Sequence, residues 1–133
     1  MPSHAHGTFD VTLTPAPQDA NQDTTLGRML LVKQFHGDLD ATSSGQMLTA
    51  GTSTQGSAAY VAIEKISGSL QGHKGTFVAM HSATMTRGTP HLSITIVPDS
   101  GTEDLVGLSG TMTITITDDQ HDYDMMFTLV ETP

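Results

Sequence analysis

Short runs in which apolar and polar residues alternate, separated by breaks rich in Gly, Pro, Asn, Asp and Ser, occupy most of the chain. Eight such runs are readable, at about residues 8–14, 28–39, 43–51, 57–66, 75–86, 91–98, 109–118 and 122–131. A period of two sends successive side chains to opposite faces of a strand, so each run is expected to be a half-buried β-strand. The break "TPAPQDANQDTT" is the longest and is polar, which predicts a surface loop over residues 15–26. Residues 1–7 are expected to form a flexible N-terminus. No apolar pattern of period 3.6 runs long enough for a substantial helix. The segment Ser100-Gly101-Thr102-Glu103 has the form of a capping box ahead of Leu105, Val106 and Leu108. It predicts either one helical turn or an irregular loop with two leucines tucked beneath it.

Successive strands with short connections favour an antiparallel meander, and closure into a barrel removes the edges that invite aggregation. An eight-stranded barrel has a lumen just wide enough to be filled by side chains or to hold one small ligand. The apolar faces of the hairpins decide which residues enter it. In the last hairpin a turn through Asp119 to Asp122 pairs 112 with 129, 114 with 127 and 116 with 125, which puts all the apolar members on one face. A turn at Gly88 and Thr89 pairs 81 with 96, 83 with 94 and 85 with 92. A turn near residues 70 and 71 pairs 60 with 81, 62 with 79 and 64 with 77. On this register Tyr60, Ala62, Glu64, Phe77, Ala79 and His81 face inward. The result depends on parity, because a slip of one residue would turn Glu64 outward.

An inward carboxylate is costly unless it is protonated, paired or hydrogen-bonded. Lys33 shares a face with Met29, Leu31, Phe35 and Leu39 and is the natural cation for Glu64. Tyr60 and His81 are expected opposite one another and can donate hydrogen bonds. These residues define a candidate ligand-binding set of Tyr60, Glu64, His81, Lys33 and Phe77, with Glu64 and His81 as candidate acid/base groups should catalysis occur. The same residues also fit a self-satisfied polar network at one mouth of the barrel. The opposite face carries Val61, Ile63, Val78 and Met80, an apolar patch for which another copy of the chain is the expected cover, giving a homo-oligomer such as a dimer or trimer.

The length of 133 residues is that of a single domain, and the absence of cysteine rules out disulfides and thiolate chemistry. A net charge of −9 repels nucleic acid and anionic membranes. No signal-peptide pattern or apolar span of about 18 residues occurs, so a soluble, cytoplasmic protein is expected. GxSxG, P-loop and dinucleotide-binding motifs are absent, and no cofactor is implied. His36, Asp38 and Asp40 are the one local cluster of ligand types. Alternation puts them on the outer face, and no metal site is expected there.

The stretches "KQFHGDLDATSSGQMLTA", "GSAAYVAIEKISGSLQGHKGTFVAMHSATM" and "LSITIVPDSGTEDLVGLSGTMTI", in this order and spacing, resemble a bacterial domain family of unknown function similar to the allene-oxide-cyclase-like barrels. The resemblance runs from about Gly27 to Glu131. It implies an all-β, eight-stranded barrel of mostly meander topology. It implies no reaction, since the family has none assigned and the wider group also includes dirigent-type proteins that guide radical coupling. No catalytic residue is carried over from it. Three functions are therefore expected candidates: a barrel binding a small apolar or aromatic molecule, an isomerase or cyclase using Glu64 or His81, and a filled barrel acting through its surface.

Overall fold

The strands follow from alternation carried to its end. In β4 (Ala58–Leu70) and β5 (His73–Thr86), buried and exposed residues alternate along the central stretch from Ala62 to His81, interrupted only around the turn between them. The structure is a computed structural model that describes residues 2–16 and 25–130. The other strands are β1 (Ser3–Pro15), β2 (Leu26–Gly37), β3 (Leu39–Gly51), β6 (Thr89–Ile96), β7 (Leu108–Thr117) and β8 (Gln120–Leu129). Each pairs antiparallel with its neighbour, and β1 pairs with β8 to close an eight-stranded meander barrel. The all-β barrel expected from the sequence is the observed fold.

Several boundaries differ from the expectation. β1 begins at Ser3, because Ser3 to Phe9 pair with Phe127 to His121, so most of the segment expected to be flexible belongs to the sheet. Most of the expected 15–26 loop, residues 17–24, lies outside the described residues. The break at "DATSSG" is strand instead: β3 runs without interruption from Leu39, and the chain turns at Gly37 and Asp38.

Three hairpins turn on two residues each, with positive φ at both: Gln71 and Gly72, Arg87 and Gly88, and Asp118 and Asp119. Such turns match the right-handed twist of paired strands. The sequence reading placed these turns differently, so the observed pairs are Ala62 with His81, Ala83 with Leu92 and Ile114 with Tyr123. Each register is displaced by an even number of residues. The inward and outward faces therefore stand as expected even though the partners differ.

The barrel is solid at one end. Phe35, Leu39, Ile66, Leu70, Phe77, Leu105, Leu108, Tyr123, Met125 and Phe127 are all buried there. The Tyr123 hydroxyl accepts from the Leu39 N–H at 2.8 Å and donates to the His36 carbonyl at 2.9 Å, which ties β8 to the β2–β3 turn. The segment 97–107 crosses this end and carries a 3₁₀ turn at Glu103–Leu105 that seats Leu105 in the core. The capping-box residues do not cap it. Ser100 Oγ accepts from the Val78 N–H, and Thr102 Oγ1 accepts from the Thr76 N–H, both at 3.0 Å, so the two hydroxyls hold the crossing segment against β5. No helix among the described residues is long and apolar enough to cross a membrane.

Candidate functional site

Midway along the lumen the apolar packing gives way to a polar cluster. Lys33 on β2, Ser43 on β3, Glu64 on β4 and His81 on β5 are the buried polar and charged residues among those described, and they meet at one carboxylate. Lys33 Nζ donates to Glu64 Oε1 at 3.0 Å, His81 Nε2 lies 2.6 Å from the same oxygen, and Ser43 Oγ donates to Oε2 at 2.7 Å. Glu64 is only 1 % exposed. Burial by itself would raise the carboxyl pKa. That effect is outweighed by the hydrogen bond from His81, the charge of Lys33 and the hydrogen bond from Ser43, which bring it down to about 2. The group is ionised at neutral pH. An ionised Oε1 has no proton to give, so the proton of the short contact belongs to His81 Nε2.

Local backbone makes room for the cluster. Gly45 sits directly across from Glu64 on β3, and a methyl at Gly45 would fall 2.1 Å from the Ile63 carbonyl oxygen and 2.8 Å from Glu64 Cβ. The two strands can approach this closely only without a side chain at position 45. Lys33 Nζ also stands over the Phe9 ring, 4.9 Å from its centroid, an aromatic face that favours the cation.

Toward the other end the lumen is hollow. A cavity of about 170 Å³ has Lys33 and His81 among its lining, with Phe9, Val11, Leu31, Met47, Tyr60, Ala62, Leu92 and Ile114 around them. The inward-facing residues nearest the mouth stay exposed: Leu92 at 38 % and Ile116 at 64 %. A second hollow of about 370 Å³ lies over the rim, walled by Ala50, Ala58, Ala59, Ala83 and Met85. It shares Tyr60 and Leu92 with the first.

Of the residues singled out in the sequence, Lys33, Glu64 and His81 come together. Tyr60 does not join their hydrogen bonds, because it pairs with Ala83 and stands nearer the mouth as part of the cavity wall. Burial, and next the Glu64 charge, raise the Tyr60 pKa, so its phenol stays protonated. Phe77 pairs with Ile66 and is buried in the solid half, away from the cavity. The register displacement moved both residues by one pair in opposite directions. Ser43 was missed, although the inward alternation of Leu39, Ala41 and Ser43 on β3 would have shown it. His36, Asp38 and Asp40 do not converge: His36 Nε2 meets Asp10 at 3.1 Å, and Asp38 accepts from the His6 N–H. Among the described residues no group of three metal-ligating side chains is assembled.

The fold and the site together define a closed antiparallel barrel, half filled and half hollow, with a buried Lys-Glu-His-Ser cluster at the boundary. Residues 5–127 match the family described as "protein of unknown function (DUF3224)", and the chain belongs to that family. It is similar to a solved DUF3224 protein of unknown function from Shewanella oneidensis MR-1, with 44 % identity and a TM-score of 0.91 over 98 % of this chain and 100 % of that one. No curated protein matches the chain. These matches establish the family; a relation to the allene-oxide-cyclase-like barrels is not shown by them.

Proposed function

We propose that the barrel binds a small, mostly apolar or aromatic molecule in its hollow half, with one oxygen-bearing end turned down toward the Lys33 ammonium. The carrying observation is the contrast within the lumen. One end is packed solid, whereas at the other apolar side chains face inward around an unfilled space whose floor is polar. Ligand sites have this composition, mainly apolar walls with a few convergent polar groups. The lumen cavity is small by the standard of such sites, roughly 300 to 1,000 Å³, so the ligand is a small one or extends past Tyr60 and Leu92 into the rim hollow that those residues also line. Glu64 has no part in direct contact, since its two oxygens are taken by Lys33, His81 and Ser43. Its role is to hold the two nitrogen groups in place.

The test is a calorimetric titration of the protein with 4-phenylbutan-2-one and with 4-phenylbutanoate, small aromatic compounds with a neutral and an anionic oxygen end. One site per barrel is expected for at least one of them. Leu92→Trp, which fills the mouth, is expected to weaken binding by roughly tenfold or more while leaving the melting temperature near that of the parent, because position 92 is already exposed. Absence of binding by both compounds, or undiminished binding to the filled-mouth variant, would refute the reading.

The expected partner on the outer surface is a second copy of the chain. Val61, Ile63 and Met80 are about half exposed, and Leu30, Val32 and Leu48 continue the patch across β2 and β3. Contiguous exposed apolar area of this kind is unusual on a monomer. Sedimentation of the parent protein is expected to show an oligomer, and Ile63→Lys to shift it to monomer. A parent that sediments as a monomer would remove this partner.

A further inference from the structure

We propose that the site catalyses proton transfer at carbon: His81 takes a proton from the carbon beside a carbonyl group, and Lys33 holds the resulting oxyanion. The proposal deepens the ligand-binding reading, on whose cavity it rests, and assigns the substrate class as apolar or aromatic ketones and enones with an acidic α C–H.

The geometry supplies each part that such a step needs. His81 Nε2 carries its proton toward Glu64 Oε1 at 2.6 Å, so the neutral ring keeps its lone pair on Nδ1. Among the described residues, every fully enclosed polar side-chain atom has a hydrogen-bond partner. Nδ1 has no such partner, and His81 lines the cavity, so this nitrogen is the one left to face a ligand. Lys33 converges on the same carboxylate oxygen as His81 and lines the same cavity, and an ammonium group has donors to spare beyond the one given to Glu64. A base held by a buried carboxylate and a cation beside it, in a largely apolar space, is the arrangement that enolisation requires.

The step balances without any co-reactant. The C–H proton moves to His81 Nδ1, the C–H electron pair becomes the new carbon–carbon π bond, and the carbonyl π pair moves onto oxygen. Glu64 then faces an imidazolium and Lys33 faces an enolate, so each new charge has an opposite partner. Return of the proton to the same carbon gives exchange. Return to the far carbon of a β,γ-unsaturated ketone gives the conjugated isomer. His81 touches the reacting atoms, and Glu64 is a positioning residue acting through it. His81 is bonded to Glu64 from β4, and the other charged and titratable groups lining the cavity with it are Lys33 from β2, Tyr60 from β4 and His121 from β8.

The experiment uses the full chain with 4-phenylbutan-2-one in D₂O, following loss of the α-proton signals by NMR and binding by calorimetry on the same samples. The parent protein is expected to accelerate exchange by roughly a hundredfold or more over protein-free buffer. His81→Gln keeps an N–H for Glu64 and removes the base, so it is expected to bind within about threefold of the parent and to lose the acceleration. Glu64→Gln should slow exchange at saturating ketone while leaving binding within about threefold of the parent, because the imidazolium loses its carboxylate and the ligand does not touch position 64. Leu92→Trp should weaken binding by roughly tenfold or more and lower exchange with it at a fixed ketone concentration, and it serves as the decisive variant if His81→Gln does not fold. Binding without accelerated exchange would overturn the proposal and leave the binding reading standing. Exchange that survives in His81→Gln, or is undiminished in Leu92→Trp, would overturn it too, by placing the chemistry elsewhere. Failure of the ketone to bind would overturn it as well, and would sink the binding reading only if 4-phenylbutanoate also fails to bind.

Discussion

Replacing Glu64 by leucine is expected to destabilise the barrel by about 3 to 5 kcal/mol. The carboxylate is the shared acceptor of three buried donors, so its loss strands more than itself. Lys33 is 6 % exposed and would be left as an uncompensated buried cation. His81 and Ser43 would each lose an acceptor, and leaving a buried polar group unsatisfied costs about 1 to 3 kcal/mol. For a domain of this size the melting temperature should fall by roughly 10 to 20 °C. Glu64→Gln keeps an oxygen for one donor and should lose less, so the order parent, Gln, Leu in thermal midpoint is the expected result. Two variants melting with the parent would mean that the cluster contributes nothing to stability.

The second large effect is on acid stability. Glu64 titrates at about 2 in the fold against an ordinary 4.5. A carboxylate with a depressed folded pKa contributes stability that is fully present above the unfolded pKa and is lost as pH falls toward the folded one. The contribution should therefore be complete above about pH 5, decline between roughly 4.5 and 2, and amount to about 3 kcal/mol at neutral pH. Urea midpoints measured from pH 7 down to pH 2 are expected to fall within that window. In Glu64→Gln the same curve should be flatter, since the residue that titrates is gone. A parent curve as flat as that of the variant would show that Glu64 is not the group being protonated.

How far these features were readable from the sequence depended on parity. The apolar alternation of Met112, Ile114 and Ile116 against Tyr123, Met125 and Phe127 fixed a shared inner face whatever the turn length. Even displacements of register therefore left Glu64, Lys33 and His81 inside. The turn lengths were less legible because the favoured two-residue turn normally announces itself with Asn-Gly or Asp-Gly. Here Gln71, Arg87 and the pair Asp118-Asp119 adopt positive φ instead. Partner identity followed turn length, which is why Tyr60 was expected beside His81 and Phe77 beside Glu64. Ser43 was hidden for a different reason: the turn-like composition of "DATSSG" masks the alternation of Leu39, Ala41 and Ser43, and in the sheet the segment pairs as strand with Ser67, Ile66 and Lys65. The Ser-Gly-Thr-Glu pattern did mark a helical turn, the 3₁₀ turn at Glu103–Leu105, but its hydroxyls do not cap it. A hydroxyl before an acidic residue caps a helix only when no neighbouring strand offers it a better N–H.

The division of the lumen into a solid and a hollow half has a consequence for evolvability. Truncating an aromatic residue such as Phe35 or Phe127 in the solid half opens a cavity and is expected to cost about 3 to 5 kcal/mol, a large part of what a domain of this size has. Leu92 and Ile116 at the mouth are already exposed to solvent and support little packing. Substitutions there change the shape of the opening at small thermodynamic cost. Selection can therefore reshape the opening of the hollow half while the residues that keep the barrel folded stay as they are.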